Sequence, residues 1–294
     1  MEYGSRGIVD SRAVVPGDGV EIIARKTSHR AENVTLTDLG EQTFKALLFD
    51  IDDTITTDGT LPAASYTALE QLKNAGYLMI PVTGRPAGWC DMIARFWPID
   101  AVVGENGAFY FKYDHTAKKL KKIYAEGLCL KTAQAEHRQI EAIILEKFPQ
   151  TRISRDQPYR DIDIAFDFAE DIVPPMPMDE VIRMQMALED MGLTAKISSI
   201  HVNAWRGDHD KLTTAKKLMW DEYQMSEQTL KSDCLYVGDS PNDEPMFAFF
   251  DHSVGVKNVM DFWDQLKHKP TYVTQARSGA GFVELSKRLL GKKT

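Results

Sequence analysis

From about residue 45 the chain alternates short unbroken apolar runs with longer amphipathic stretches. "ALLF" (46–49) is a run of four apolar residues, as expected of a strand buried on both faces. "SYTALEQLKNAG" follows, with Leu69 and Leu72 three apart and Gly76 placed to end a helix. "YLMIPV" (77–82) and "DAVVG" (100–104) read as the next strands, and "CLYVG" (234–238), "HSVGV" (252–256) and "TYVT" (271–274) as later ones, with a helix through "DEPMFAFFD". Strand–helix alternation of this kind predicts an α/β fold, a doubly wound parallel sheet of the Rossmann-like kind. The middle of the chain differs. Residues 132–148 and 178–191 have helical periodicity, whereas "RDIDIAFDF" and "TAKISSIHVNAW" alternate polar and apolar like one-sided antiparallel strands. The expected organisation is a core of residues 44–112 and 207–294 interrupted by an inserted α+β cap, 113–206. Residues 1–43 form a polar, turn-rich extension in which only "VEIIA" suggests a strand.

Composition narrows the function classes. The 294 residues are 43% hydrophobic and 27% charged, the make-up of a globular protein, and the net charge of −8 comes with no sustained basic run. That argues against nucleic acid and anionic membrane surfaces as partners. No stretch nears the ~18 apolar residues of a membrane span, and the N-terminus lacks a signal-peptide layout. Cys90, Cys129 and Cys234 are too few and too scattered for a disulfide framework or a metal knuckle, so a cytoplasmic protein is expected.

The chemistry gathers at the carboxyl ends of the expected strands, where open parallel sheets bind ligands. The first strand runs into "DIDDT", with Asp50, Asp52, Asp53 and Thr54; the second into "TGR", with Thr83, Gly84 and Arg85. The third ends in "GENGA", with Glu105 and Asn106, and the strand at 234–238 in "GDSPND", with Asp239, Asn242 and Asp243. Lys211 opens a helix where the chain returns from the insert. Two like charges ~4 Å apart cost ~4 kcal/mol at an effective dielectric of ~20, so such acids imply either a well-solvated loop or a cation that holds them together. Each motif alone is weak. Their order and shared strand-end setting make the set specific.

"DIDDT", "TGR", Lys211 and "GDSPND" resemble, in order, the four motifs of the haloacid dehalogenase-like phosphohydrolases. The long insert and "GENGA" are similar to the large-cap branch with Cof-type sugar phosphatases, sucrose-phosphate phosphatase and phosphomannomutase. The resemblance covers about residues 45–290, and Asp53 stands where that family often has Gly. It implies Asp50 as the nucleophile that forms an aspartyl-phosphate and Asp52 as the acid/base, with its pKa raised by neighbouring carboxylates. It further implies Mg²⁺ held by Asp50, the carbonyl of Asp52 and Asp239, with Asp243 beside the metal or on it. Lys211 would neutralise Asp50 and the phosphoryl group, and Thr83 would hydrogen-bond a phosphoryl oxygen. Thr54, Gly84, Arg85, Glu105, Asn106 and Asn242 are the core-side candidates for substrate binding.

On the cap, "SSIHVNAW" places Ser199, His201, Asn203 and Trp205 on one face, and by the same resemblance His201 and Asn203 are candidate sugar contacts. Arg152, Arg155 and Arg160 form a basic cluster open to an anion or to plain solvent exposure. The expected activity is Mg²⁺-dependent hydrolysis of a small phosphorylated metabolite, a sugar phosphate first of all. A phosphomutase is the near alternative. A receiver-type signalling domain is remote, since the third strand ends in Glu105–Asn106 where that fold needs its phosphorylated Asp, and a silent binding protein would not need Asp50, Asp52, Lys211 and Asp239 together.

Overall fold

A computed structural model describes residues 35–40 and 42–291; the "VEIIA" segment lies outside them. In chain order the strands and helices are β1 (Ala46–Phe49), α1 (Ala63–Asn74), β2 (Leu78–Pro81), α2 (Ala87–Phe96), β3 (Val102–Gly104), β4 (Phe109–Asp114) and β5 (Lys119–Tyr124). There follow α3 (Leu130–Lys147), β6 (Arg152–Ile153), β7 (Ile164–Asp167), α4 (Met178–Asp190), β8 (Thr194–Ile197) and β9 (His201–Trp205). The chain closes with α5 (Lys211–Tyr223), α6 (Glu227–Asp233), β10 (Cys234–Gly238), α7 (Glu244–Phe249), β11 (His252–Gly255), β12 (Tyr272–Val273) and α8 (Ser278–Leu290).

The core sheet has the order β12-β11-β10-β1-β2, all parallel. β1 lies inside it, and its unbroken apolar run is explained by two-sided burial. Leu47 and Phe49 face one core, with α1, α2 and α8, while Ala46 and Leu48 face the other, with α5 and α7. Burying such side chains stabilises the fold by roughly 1.5–3 kcal/mol each. Leu36 and Leu39, from the expected extension, are buried in the first of these cores.

β3 departs from the expected parallel pattern. It touches β2 through a single parallel bridge, Val82 to Val103, and otherwise pairs antiparallel with β4, which pairs with β5. The expected cap boundary at 113 falls inside β4, so the hairpin extends the core side, and the links to the cap run through residues 125–129 and 206–210. The cap is the antiparallel sheet β6-β7-β9-β8, with α3 and α4 over its apolar face around Phe166, Val202, Ile144 and Met184.

Gly107 fixes the relation between β3 and the start of α5. It sits at a φ of 105°, and a Cβ there would collide with the Asp210 carbonyl, while Thr214 Oγ1 donates to the Gly107 carbonyl at 2.5 Å. That close approach places Lys211 in the core. Gly107→Ala is expected to lower stability by about 2 kcal/mol or more, measured by urea denaturation, since both the backbone conformation and the contact forbid a side chain.

Candidate active site

The ends of the neighbouring strands β1 and β10 and the start of α5 come together. Asp50 follows β1, Asp239 follows β10, and Lys211 is the first residue of α5, which Asp210 caps by accepting the Thr213 N–H at 2.7 Å. The Lys211 ammonium is buried and donates to Asp50 Oδ1 at 2.9 Å and to Asp243 Oδ1 at 2.7 Å. Asp50 Oδ2 accepts no hydrogen bond from the described residues, which leaves it free to attack.

Asp243 is saturated. Oδ1 accepts Lys211 and, at 2.6 Å, the Tyr236 hydroxyl; Oδ2 accepts the N–H groups of Asp239 and Ser240 at 2.9 and 3.3 Å. A Cβ on Gly238 would strike this carboxylate, so the residue before Asp239 has to lack one. Among the described residues Asp239 accepts only the Thr54 hydroxyl on Oδ1 at 3.2 Å and the Asn258 amide on Oδ2 at 3.1 Å. Ligand oxygens of Asp50, Asp239 and Asp243 lie within 4.8 Å of one another. A hard divalent cation with oxygen ligands fits this donor set, with Asp50 and Asp239 as the carboxylates that have lone pairs to offer. Asp243 is occupied in holding Lys211 and the turn.

The electrostatics point the same way. Burial pushes the Asp50 carboxyl up to about 7, with Asp243 and Asp52 adding and Lys211 opposing. Burial, then Asp243 and Asp50, push Asp239 well above its ordinary value. One lysine does not compensate three buried acids, and full ionisation of the pair requires a further positive charge. Burial works against the Lys211 charge, but Asp243 and Asp50 outweigh it and hold its pKa above the ordinary range.

The second acid is held differently. Asp52 is half-buried and accepts Arg85 Nε at 3.0 and 2.9 Å and Arg85 Nη2 at 2.7 Å. Arg85 stands 4.4 Å over the Trp89 ring and also donates to cap residues, Glu170 at 2.7 Å and Asp156 at 3.4 Å. Arg85 thus latches the cap to the core through the acid expected to handle protons. Asp53, at a φ of 52°, occupies a left-handed turn position that glycine fills without cost and that aspartate tolerates.

Several candidate substrate contacts are occupied by the protein itself. Glu105 is buried and accepts four backbone N–H groups, of Ala87, Asp161, Ile162 and Asp163, at 2.7–3.0 Å, which ties the cap loop 161–163 to α2. Asn203 donates to Asp163 at 2.9 Å, and Asn106 reaches the same oxygen from the core at 3.4 Å. His201 Nε2 stands 2.9 Å from Glu170. Arg160, placed from sequence in a basic cluster, is fully buried between Asp156 and Asp163 and donates to the Gly84 carbonyl, so it is a clamp and no surface arginine. Arg155 is exposed beside Asp171. Thr83 is buried at the end of β2, its hydroxyl oxygen accepting the Arg85 N–H at 3.1 Å. Asn242 is buried in the turn after β10, next to Lys211 in a common cleft.

Sequence reading missed Asn258, Tyr236 and the cap acids Asp156, Asp163 and Glu170. Tyr236 left a trace, a hydroxyl inside the apolar run "CLYVG". Asn258 left none, since its role depends on reaching Asp239, the Asp53 carbonyl and the Ser278 N–H together.

The latch has a pH signature. Burial would raise the Glu170 carboxyl, but hydrogen bonds from His201 and Arg85 pull it down to about 2. A depressed carboxyl stabilises the folded state above its ordinary value near 4.5, and the contribution is lost as pH falls through about 2. The stability advantage of the wild type over Glu170→Gln, read from denaturation curves, is therefore expected to be full at pH 6 and to shrink steadily below about 4.5. An advantage that stays level across that range would contradict the latch.

Residues 47–151 match the family model of haloacid dehalogenase-like hydrolases. Among solved structures, one from Thermoplasma acidophilum is 18% identical with a TM-score of 0.63, over 85% of this chain and 99% of that one. The sucrose-phosphatase of Synechocystis sp., in complex with sucrose and phosphate, is 19% identical with a TM-score of 0.54, over 82% of this chain and 96% of that one. The C-terminal domain of C. albicans trehalose-6-phosphate phosphatase is 15% identical with a TM-score of 0.64, over 85% and 94%. Comparison with curated protein sequences gives no match. The chain is similar to the haloacid dehalogenase-like hydrolases in sequence over residues 47–151 and shares their fold over most of its length.

Proposed function

We propose that the protein is a Mg²⁺-dependent phosphatase that hydrolyses a small phosphorylated metabolite of the sugar-phosphate class through an aspartyl-phosphate on Asp50. The observation that carries this reading is the buried set of Asp50 and Asp239 at adjoining strand ends with Lys211 at the start of α5, one Asp50 oxygen being free of protein donors among the described residues. Bound Mg²⁺, held by Asp50, Asp239 and the Asp52 carbonyl, would supply the charge that offsets the acids and the phosphoryl group.

The chain's own groups supply the remaining steps. Asp50 Oδ2 attacks phosphorus in line, and the P–O bond to the leaving group breaks. Asp52 gives that alkoxide its proton, which requires Arg85 to release the carboxylate it grips in the latched state and Asp52 to take up a proton from solvent before the P–O bond breaks. Lys211 stays paired with Asp50 and neutralises the equatorial oxygens, while the Thr83 hydroxyl and the Asn242 amide would donate to them. Water then attacks the aspartyl-phosphate, Asp52 takes its proton, and inorganic phosphate leaves with Asp50 regenerated. The fold shared with sucrose-phosphatase and a trehalose-6-phosphate phosphatase supports a phosphorylated carbohydrate as the first substrate class to assay.

Phosphate release from hexose phosphates is the test. Asp50→Asn is expected to lower turnover at least ~10³-fold, as loss of a nucleophile does. A chelator should abolish release and added Mg²⁺ restore it. Release that survives Asp50→Asn would overturn the assignment.

The cap–core latch predicts a further kinetic effect. Arg85→Lys cannot hold Asp52 and Glu170 in the same forked geometry. Its kcat/KM is expected to fall about 10-fold or more, a loss that Glu170→Gln shares only in part because it leaves Asp52 gripped.

A further inference from the structure

Arg85 joins cap and core beside the site, and a cleft of about 260 Å³ that Lys211 helps to line lies between the cap sheet and the turns before α5 and after β10. Its walls carry Asn106, Asn242 and Lys211 near the chemistry, and His209, Thr194 and Lys196 farther out on the linker and on β8. Lys196 lies directly across from Asn203 in the β8–β9 pairing, so both side chains leave the same face of the cap sheet, the one turned to the core. Lys196 is exposed, and among the described residues no acid pairs with its ammonium, whereas Arg85 on the core and Arg160 on the cap are fully engaged.

Two acids share the cleft. Asp210 accepts the Thr213 N–H as the cap of α5, and Asp208 is exposed on the linker. His209 is buried to more than nine-tenths, its Nε2 has no hydrogen-bond partner, and burial holds its pKa down to about 4 against Asp163, Asp210 and Asp208. A neutral imidazole with an unanswered nitrogen suits a hydroxyl, and an unpaired ammonium suits an anion.

We infer that this cleft binds the leaving-group end of the substrate and that Lys196 selects esters carrying a second anionic group, a carboxylate or another phosphate, at the end remote from the transferred phosphoryl. The inference rests on the phosphatase reading of the same site and sharpens its substrate class. A cleft of about 260 Å³ falls just below the roughly 300 to 1,000 Å³ of ligand sites, and so suits a compact polyhydroxy anion rather than a disaccharide phosphate.

The test compares kcat/KM for glucose 6-phosphate, 6-phosphogluconate and glucose 1,6-bisphosphate in the wild type, Lys196→Ala and Lys196→Arg, with Mg²⁺ present. The two doubly anionic esters separate a carboxylate from a phosphate as the recognised group. The wild type is expected to prefer at least one of them over glucose 6-phosphate by about 10-fold, the size of a single charge-assisted contact. Lys196→Ala should bring that ratio close to one, mainly through KM, and Lys196→Arg should keep most of it. A wild type that hydrolyses all three with no charge preference, or a preference that Lys196→Ala leaves intact, overturns the inference and spares the phosphatase reading. Absence of Mg²⁺-dependent release from any of them, and from a chromogenic aryl phosphate, overturns both.

Discussion

Three buried carboxylates around one buried lysine set the terms for the rest of this molecule. Asp50, Asp239 and Asp243 approach within 4.8 Å of one another, and the Lys211 ammonium bonds two of them. Such a group is costly to assemble unless each member has a partner. Asp243 has four donors, and it uses them to hold the turn after β10 and the head of Lys211. Asp50 and Asp239 are left short, and burial raises both of their pKa values. One acid is locked into structure, and two keep lone pairs that, on the proposed reading, a cation and a phosphoryl group would take up.

The cap is joined to this centre by polar contacts as well as by its two linkers. Glu105 collects N–H groups from α2 and from the cap loop at 161–163, Arg160 holds the Gly84 carbonyl, and Arg85 grips Asp52 with one hand and Glu170 with the other. The contact that joins cap to core therefore also restrains Asp52. On the proposed mechanism Arg85 would have to let Asp52 go, and an anionic substrate is the natural competitor for its guanidinium.

Much of this was legible in the sequence. The strands of the parallel sheet announced themselves as continuous apolar runs because two cores, one on each face, bury them. The residues at their ends could be listed without coordinates, and Asp50, Lys211, Asp239 and Asp243 do converge. The β4–β5 hairpin was not legible. "KLKKIY" carries exposed lysines at 119, 121 and 122, which breaks a strand's alternation, and it is held as strand by pairing with β4 along six residues. Nor were the partners of Arg85, Glu105 and Asn203, which lie between 18 and 85 positions away in sequence or come from backbone N–H groups that no side-chain motif encodes.

The central claim, that the acid cluster is built around a divalent cation, is tested most directly by the melting temperature as a function of Mg²⁺ concentration, for the wild type and Asp239→Asn. A cation that binds only the folded state raises stability by RT ln(1 + [Mg²⁺]/Kd), which amounts to about 2.7 kcal/mol at a concentration ~100 times Kd. The account predicts a saturable rise for the wild type and none for Asp239→Asn. The metal-free variant should be as stable as the metal-free wild type or more so, because a buried carboxylate short of partners is gone. A wild-type melting temperature indifferent to Mg²⁺, or one that rises equally in Asp239→Asn, would contradict it.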